Sequence, residues 1–227
     1  MTSAERWEAG KAAYDAVAHD YAAAFRSTEP EQPIDLAMIE CWVADLRRHW
    51  RRPTVLDAGC GTGRMSRYLA DQECQVTGID VSNGMIEMAR RDHPDIDTSV
   101  GSIADLPYGD ATFEGAFYWY SVIHLPDEAL PQVFTEAYRV IRPGGLALFS
   151  FQTGHGVRDV AQGYRRAGHP VTLLRYHRSV DQVSERLGAA GFVESMRLAR
   201  AATDGEPDGQ AVLMVGKPKR QDPGRES

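Results

Sequence analysis

An open, mostly parallel α/β sheet is the architecture that this sequence predicts, and three observations predict it. Short apolar runs that suit strands alternate with stretches whose apolar residues recur at three- and four-residue steps. Such alternation is the pattern of parallel strands joined by crossover helices. The 227 residues, 43% hydrophobic and 25% charged, suffice for one such domain with a full core. Finally, the strand-like Val55 and Leu56 lead through Asp57 and Ala58 into Gly59-Cys60-Gly61-Thr62-Gly63, after which residues 64–70 read as a helix. A strand, a turn free of side chains and a helix N-terminus make a cradle in which a ligand can touch backbone.

Taken in order, residues 14–25 read as a helix in which Tyr14, Val17, Tyr21 and Phe25 share a face. That face either packs on the core or lies over a ligand as a lid. Residues 28–33 are a polar linker. Leu36, Ile39, Val43, Leu46 and Trp50 then mark a second helix over 34–50, read as docking on the sheet. The first strand is 54–57 and the second 75–80, ending in Asp80. Ser82 is the expected N-cap of a helix that runs to about Arg91 and stops before Pro94. A short third strand covers 97–100 and a fourth 113–119. Leu130, Val133, Phe134, Ala137, Tyr138 and Ile141 form the apolar face of the next helix. Gly144 and Gly145 turn the chain into a fifth strand over 146–151, whose continuous apolar run suits a central position. The pattern breaks down over 152–178, read as a mobile or ligand-facing insertion with a strand at 171–176 over the pocket. Ser179 caps a last helix that ends at Gly191, and 192–198 and 211–216 are the final strands. The expected organisation is an N-terminal helical cap over 1–52, a core over 53–217 and a frayed tail over 218–227.

Composition narrows the function. The net charge of -7 disfavours nucleic acid and anionic membrane surfaces as partners. No apolar run approaches the ~20 residues of a membrane span, and the first residues lack the apolar stretch of a signal peptide. Cys41, Cys60 and Cys74 are odd in number and lack metal-ligand spacing, so a reducing, cytoplasmic setting without a metal site is expected.

Asp80 stands seventeen residues after Gly63, at the end of the second strand, where a carboxylate can accept both hydroxyls of a ribose. The run from Val55 to Gly63, with Asp57 two residues before the first glycine, resembles motif I of class I S-adenosylmethionine-dependent methyltransferases. Asp80 matches the acid that ends the family's second strand. Residues 113–125 resemble its fourth strand and the turn after it, and Arg139-Val140-Ile141-Arg142-Pro143-Gly144-Gly145 resembles its turn before strand five. Four motifs in order cover about 54–150.

The resemblance implies a Rossmann-like, seven-stranded, mostly parallel sheet with helices on both faces and an antiparallel last strand. It implies S-adenosylmethionine as cofactor and a small-molecule methyl acceptor, with the chain a monomer or homodimer. In that frame Asp57 favours the cofactor's ammonium, helped by the carbonyls of Gly59 and Tyr118. The turn amides of Gly59, Cys60, Gly61 and Gly63 receive its carboxylate, and Asp80 takes the ribose. Val81, Met85 and Ile103 sandwich the adenine. Ser102 stands where the family often carries an acid, so the adenine amino group loses a carboxylate partner there.

Methyl transfer from a sulfonium is an in-line displacement that mainly needs alignment, and a base only where the nucleophile arrives protonated. His124, just past the fourth strand, is the candidate base, since its ordinary pKa of about 6.5 suits neutral pH; the alternative is a histidine that only bonds backbone. Tyr14, Tyr21, Tyr120, His155 and His177 are candidate substrate contacts. The expected function is methyl transfer to an oxygen or nitrogen of a small molecule. The alternatives are a dinucleotide-dependent oxidoreductase, which would prefer Gly-x-Gly-x-x-Gly, and a non-catalytic cofactor-binding protein.

Overall fold

The computed structural model describes residues 3–219. Of the tail expected over 218–227, residues 220–227 lie outside the described residues. In chain order the elements are α1 (Ser3–Ala24), α2 (Pro33–Arg47), β1 (Thr54–Ala58), α3 (Arg64–Asp71), β2 (Gln75–Asp80), α4 (Asn83–Asp92), β3 (Asp97–Val100), β4 (Phe113–Trp119), α5 (Leu130–Val140) and β5 (Ile141–Gln152). They continue with β6 (Gly156–Asp159), α6 (Gln162–Arg166), β7 (Leu174–His177), α7 (Val180–Ala189), β8 (Val193–Arg200) and β9 (Gln210–Gly216).

Seven strands form one sheet in the order β3-β2-β1-β4-β5-β9-β8, and β6 pairs with β7 in a separate ribbon. Within the sheet only β9 runs against its neighbours, pairing antiparallel with β5 and with β8. This is the expected seven-stranded sheet with an antiparallel last strand. Strand order reverses beside β1, which lies between β2 and β4. The crevice at such a switch point, at the carboxyl ends of the strands, is where open α/β sheets bind ligands.

Alternation along the central strands sends side chains to two apolar layers. Leu56, Ala116, Tyr118, Phe149 and Leu213 join Val133, Phe134 and Ala137 of α5 and Leu187 of α7 on one face. Val55, Phe117, Leu148 and Met214 join Ile39, Trp42 and Leu46 of α2 and Leu69 of α3 on the other. Helices therefore cover both faces. The contact of α2 with β4 is close: a Cβ on Gly115 would stand 2.8 Å from both Leu46 and Trp42. Glycine at 115 is thus what lets that helix reach the sheet.

Three boundaries differ from expectation. The helix expected over 14–25 extends back to Ser3, through alanine- and charge-rich residues that favour helix. α2 ends at Arg47, with Arg48 as its C-cap, short of the expected residue 50. β5 begins at Ile141, because the Arg142–Gly145 turn stays in the sheet as an irregularity between the pairs Phe113–Ile141 and Gly115–Leu146. The insertion over 152–178 is ordered into β6, α6 and β7, and its Ala161 and Leu173 pack with Ala13 of α1.

Candidate active site

The glycine turn after β1 is held by backbone. Gly59, Gly61 and Gly63 take φ values of 83°, 54° and 81°, a left-handed region that costs other residues free energy. The amides of Gly59 and Cys60 both donate to the Ile79 carbonyl, at 2.7 and 3.0 Å. A Cβ on Gly59 would fall 2.3 Å from Cβ of Ser121, so the turn and the loop after β4 touch where no side chain fits. Asp80 closes the arrangement: its carboxylate accepts from Gly61 N and from Ser82 N, each at 2.9 Å. Burial pushes the Asp80 pKa up, against the backbone hydrogen bonds that favour the charge. Asp57 accepts from the Ser66 hydroxyl at 2.5 Å; burial pushes its pKa up to about 7, opposed by that bond.

Beside the turn lies a cavity of about 590 Å³. One wall carries Gly59, Gly61, Asp80, Val81, Met85 and Ile103. The rest of the lining is aromatic and polar, with Tyr14 and Tyr21 from α1, Trp119, Tyr120 and His124 from the end of β4 and the loop after it, and Tyr164 and Arg175 from the insertion. Gln152 and Gln210, partners across the β5–β9 pair, also line it.

α1 reaches this cavity because it is tied to the start of α4. Asp15 accepts from the Ser82 hydroxyl at 2.6 Å and from Gly84 N at 3.0 Å. Burial works against that carboxylate, yet the bonds from Lys11, Ser82 and Gly84 outweigh it and hold its pKa below the usual range. Val17 and Ala18 pack on Met85. The stripe read from the sequence thus both packs and faces the cavity. Glu31, in the stretch read as a polar linker, forms a buried two-pronged pair with Arg64 at 2.6 and 2.8 Å and accepts from Trp119 Nε1 at 3.0 Å.

His124 is held at both ring nitrogens. Nδ1 donates to the Leu174 carbonyl at 2.6 Å, which leaves Nε2 to accept the Tyr14 hydroxyl at 2.8 Å. Burial lowers its pKa to about 4, partly offset by the bond to Leu174 and reinforced by the charge of Arg175. Burial and these two partners leave the imidazole neutral at pH 7, with both ring nitrogens engaged. Tyr120 reaches the cavity from φ 53°, an uncommon conformation for a side-chain-bearing residue, with its amide donating to Ser150 Oγ at 2.8 Å.

The structure separates the remaining expected residues. Cys60 is buried, its Sγ toward Gly78. Gly63 abuts His93 and Ala89. Tyr118 stacks its ring on Phe149 at 4.5 Å in the core, which leaves only its backbone for a ligand. Ser102 accepts from Ala104 N at 3.1 Å and bridges to Asp105. His155 and His177, expected at the substrate, do not line the cavity. His155 is exposed before β6, and His177, on the same face of β7 as Arg175, lies 3.2 Å from Asp208. Sequence reasoning missed Asp15, Glu31, Gln152, Gln210 and Arg175. Only Arg175 carried a signal, since it sits in the strand expected over the pocket.

A second groove, of about 440 Å³, includes Thr62 and Arg64 but neither Asp80 nor His124. Among the described residues no cluster of three or more histidine, cysteine or acidic side chains could hold a metal ion, and no helix is long and apolar enough to cross a membrane.

Residues 55–145 match a family described as "Methyltransferase domain". Over 112 residues the chain is 34% identical to a malonyl-[acyl-carrier protein] O-methyltransferase of Serratia marcescens, covering 49% of this chain and 43% of that protein. Over 150 residues it is 33% identical to an O-methyltransferase of Penicillium expansum, covering 61% and 51%. The chain thus spans about half the length of the curated relatives it matches. Its fold is similar to that of an S-adenosylmethionine-dependent methyltransferase from Methanosarcina mazei, with a TM-score of 0.66 at 18% identity over 83% of this chain and 99% of that one. It is also similar to that of a Burkholderia thailandensis 1,6-didemethyltoxoflavin-N1-methyltransferase holding 1,6-didemethyltoxoflavin and S-adenosylhomocysteine, with a TM-score of 0.62 at 22% identity over 90% and 88%. At these identities the structural likeness is one of fold.

Proposed function

This chain belongs to the class I S-adenosylmethionine-dependent methyltransferase family, and on that premise we propose that it moves a methyl group from S-adenosylmethionine to an oxygen or nitrogen of a small molecule. The observation that carries the reading is one wall of the cavity, where the glycine turn, the Asp80 carboxylate and the apolar side chains of Val81, Met85 and Ile103 stand together. The residues suit the cofactor. Asp80 uses two of its roughly four lone-pair positions on backbone amides, leaving the others for ribose hydroxyls. The turn supplies backbone where a Cβ on Gly59 would collide. A volume of about 590 Å³ lies inside the usual ~300–1,000 Å³ of small-molecule sites.

When bound, the cofactor supplies a sulfonium-activated methyl group, whose carbon–sulfur bond breaks as the acceptor's lone pair bonds to carbon. The chain's share is then alignment and exclusion of water. α1 stands across the cavity through its bonds to Ser82 and Gly84, and Tyr14 and His124 fix one another on the acceptor side. We assign His124 a positioning role: it orients the Tyr14 hydroxyl toward its own Nε2 and is itself fixed by Leu174. The relatives' acceptors, a malonyl group on a carrier protein and a toxoflavin precursor, differ in kind, so the acceptor here follows from this chain's own cavity. The dinucleotide alternative lacks the Gly-x-Gly-x-x-Gly spacing, whereas this turn falls inside the matched methyltransferase segment.

Calorimetric titration with S-adenosylhomocysteine, and separately with NAD and NADP, tests the reading. Saturable binding of S-adenosylhomocysteine with no heat from either dinucleotide is expected. The reverse pattern would end it.

A further inference from the structure

Buried polar groups without partners are uncommon in folded proteins and call for an explanation. Of the ten such side-chain atoms among the described residues, four belong to residues that line this one cavity: Ser121 Oγ, Gln152 Oε1, Gln210 Oε1 and Arg175 Nε. One of the four belongs to a cation. The other cations that line the cavity are committed, Lys11 to Asp15 at 2.8 Å and Arg64 to Glu31 at 2.6 Å. The acids that line it are committed too: Glu31 to Arg64, Glu206 to Arg200 and Thr203, and Asp80 to backbone amides. Arg175 has only a partial counter-charge. Its Nη1 meets Asp208 at 3.1 Å, but Asp208 also pairs with Arg158 and lies 3.2 Å from His177. One carboxylate thus faces two guanidinium groups, and the surplus positive charge sits where Arg175 acts on Tyr14, His124 and Tyr164.

We propose that Arg175 is the docking point for a carboxylate on the methyl acceptor, so that the acceptors are small aromatic or aliphatic carboxylic acids; this rests on the methyl-transfer reading above. A planar guanidinium with an unpartnered Nε–H matches a carboxylate better than it matches a neutral polar group. The aromatic rings beside it give the apolar body of such an acid a surface. Gln152 and Gln210 add acceptor atoms for any hydroxyl or amine that it carries. Where the docked carboxylate is itself the group methylated, it arrives deprotonated and needs no base, which suits a wall on which both nitrogens of His124 are engaged.

The test is a set of dissociation constants for matched pairs, benzoate with benzamide, phenylacetate with phenylacetamide and octanoate with octanamide, in protein saturated with S-adenosylhomocysteine. In the unaltered protein at least one acid is expected to bind about 10- to 100-fold tighter than its amide, the scale of charge-assisted hydrogen bonds. Arg175→Gln should bring that ratio close to one with the affinity for S-adenosylhomocysteine unchanged. Asp208→Asn, which removes the competing carboxylate, should widen it. Should Arg175→Gln fail to fold, Arg175→Lys and Asp208→Asn carry the comparison. Equal binding of every acid and its amide in the unaltered protein would overturn the proposal, as would a preference that survives in Arg175→Gln. If S-adenosylhomocysteine itself does not bind, the methyl-transfer reading falls separately, and the acid–amide comparison is made on the ligand-free protein.

Discussion

The two walls of the cavity are made of different things. The wall at the ends of β1 and β2 is mostly backbone: the amide of Gly61, a turn that excludes a Cβ, and a carboxylate held by two peptide N–H groups. The rest of the lining is made of side chains from distant parts of the chain. Tyr14 and His124, which bond to each other, are 110 positions apart, and Arg175 leans on Asp208, 33 positions on. A backbone wall can hold one ligand in one way, whereas a side-chain wall can be re-cut by substitution without disturbing the strands. On the proposed function, the cofactor belongs to the first wall and the choice of acceptor to the second.

The largest contrast expected is in pH. Below the turn, Asp57 has a folded pKa near 7 against an ordinary 3.8. Between those values the folded chain holds a proton that the unfolded chain has lost, so this contribution is complete below about pH 3.8 and lost as pH rises to about 7. Across the cavity, His124 has a folded pKa near 4 against an ordinary 6.5. There the unfolded chain holds the extra proton, so that contribution is complete above about pH 6.5 and lost as pH falls toward 4. The two slopes oppose each other, each amounting to at most about 4 kcal/mol. Urea unfolding from pH 4 to 7 is expected to show stability rising with pH more steeply in Asp57→Asn than in the unaltered protein, and less steeply in His124→Asn. Parallel curves for all three would remove the contrast.

Next in size is Gly59→Ala. A left-handed φ and an overlap with Ser121 together should cost about 2–4 kcal/mol of stability. The double variant with Ser121→Gly should recover the overlap but not the φ cost. An unchanged denaturation midpoint in Gly59→Ala would show that the turn tolerates a side chain.

On cofactor affinity, Asp80→Ala should weaken S-adenosylhomocysteine binding by about 1.5–3 kcal/mol, while Tyr14→Phe and Arg175→Gln leave it close to unaltered. Equal losses from both walls would erase the division of labour. The smallest effect belongs to Asp15→Ala, which removes the bonds to Ser82 and Gly84 and should loosen α1 by about 1–2 kcal/mol. Hydrogen exchange would show faster exchange in residues 8–24 with β1, β4 and β5 unaffected, and slower exchange there in the unaltered protein once S-adenosylhomocysteine is added. Uniform change over the sheet would mean that α1 belongs to the core and is no lid.

Legibility followed the same division. The strands, the glycine turn and Asp80 could be read because each depends on residues close in sequence. The expected pair of final strands likewise became β8 and β9, with β9 the antiparallel member. Glu31 was hidden by its setting in a polar linker, and only folding shows that it meets Arg64 and Trp119. Ser82 was legible as an N-cap and does accept from Met85 N at 3.1 Å, but its hydroxyl also donates to Asp15, 67 positions away. His124 was placed at the site, while its lowered pKa came from burial and from the charge of Arg175 on β7, against the bond to Leu174.

By itself the sequence determined the α/β alternation, the turn that exposes backbone to a ligand and the acid at the end of β2, because hydrophobic period, glycine conformation and strand length are local properties. The tertiary structure decided which side chains close the cavity. It placed Arg175 but not His177 in the cavity lining, left Nε of Arg175 without a partner, and engaged both ring nitrogens of His124. Those outcomes depend on burial and on contacts between residues far apart in the chain, which no local pattern encodes.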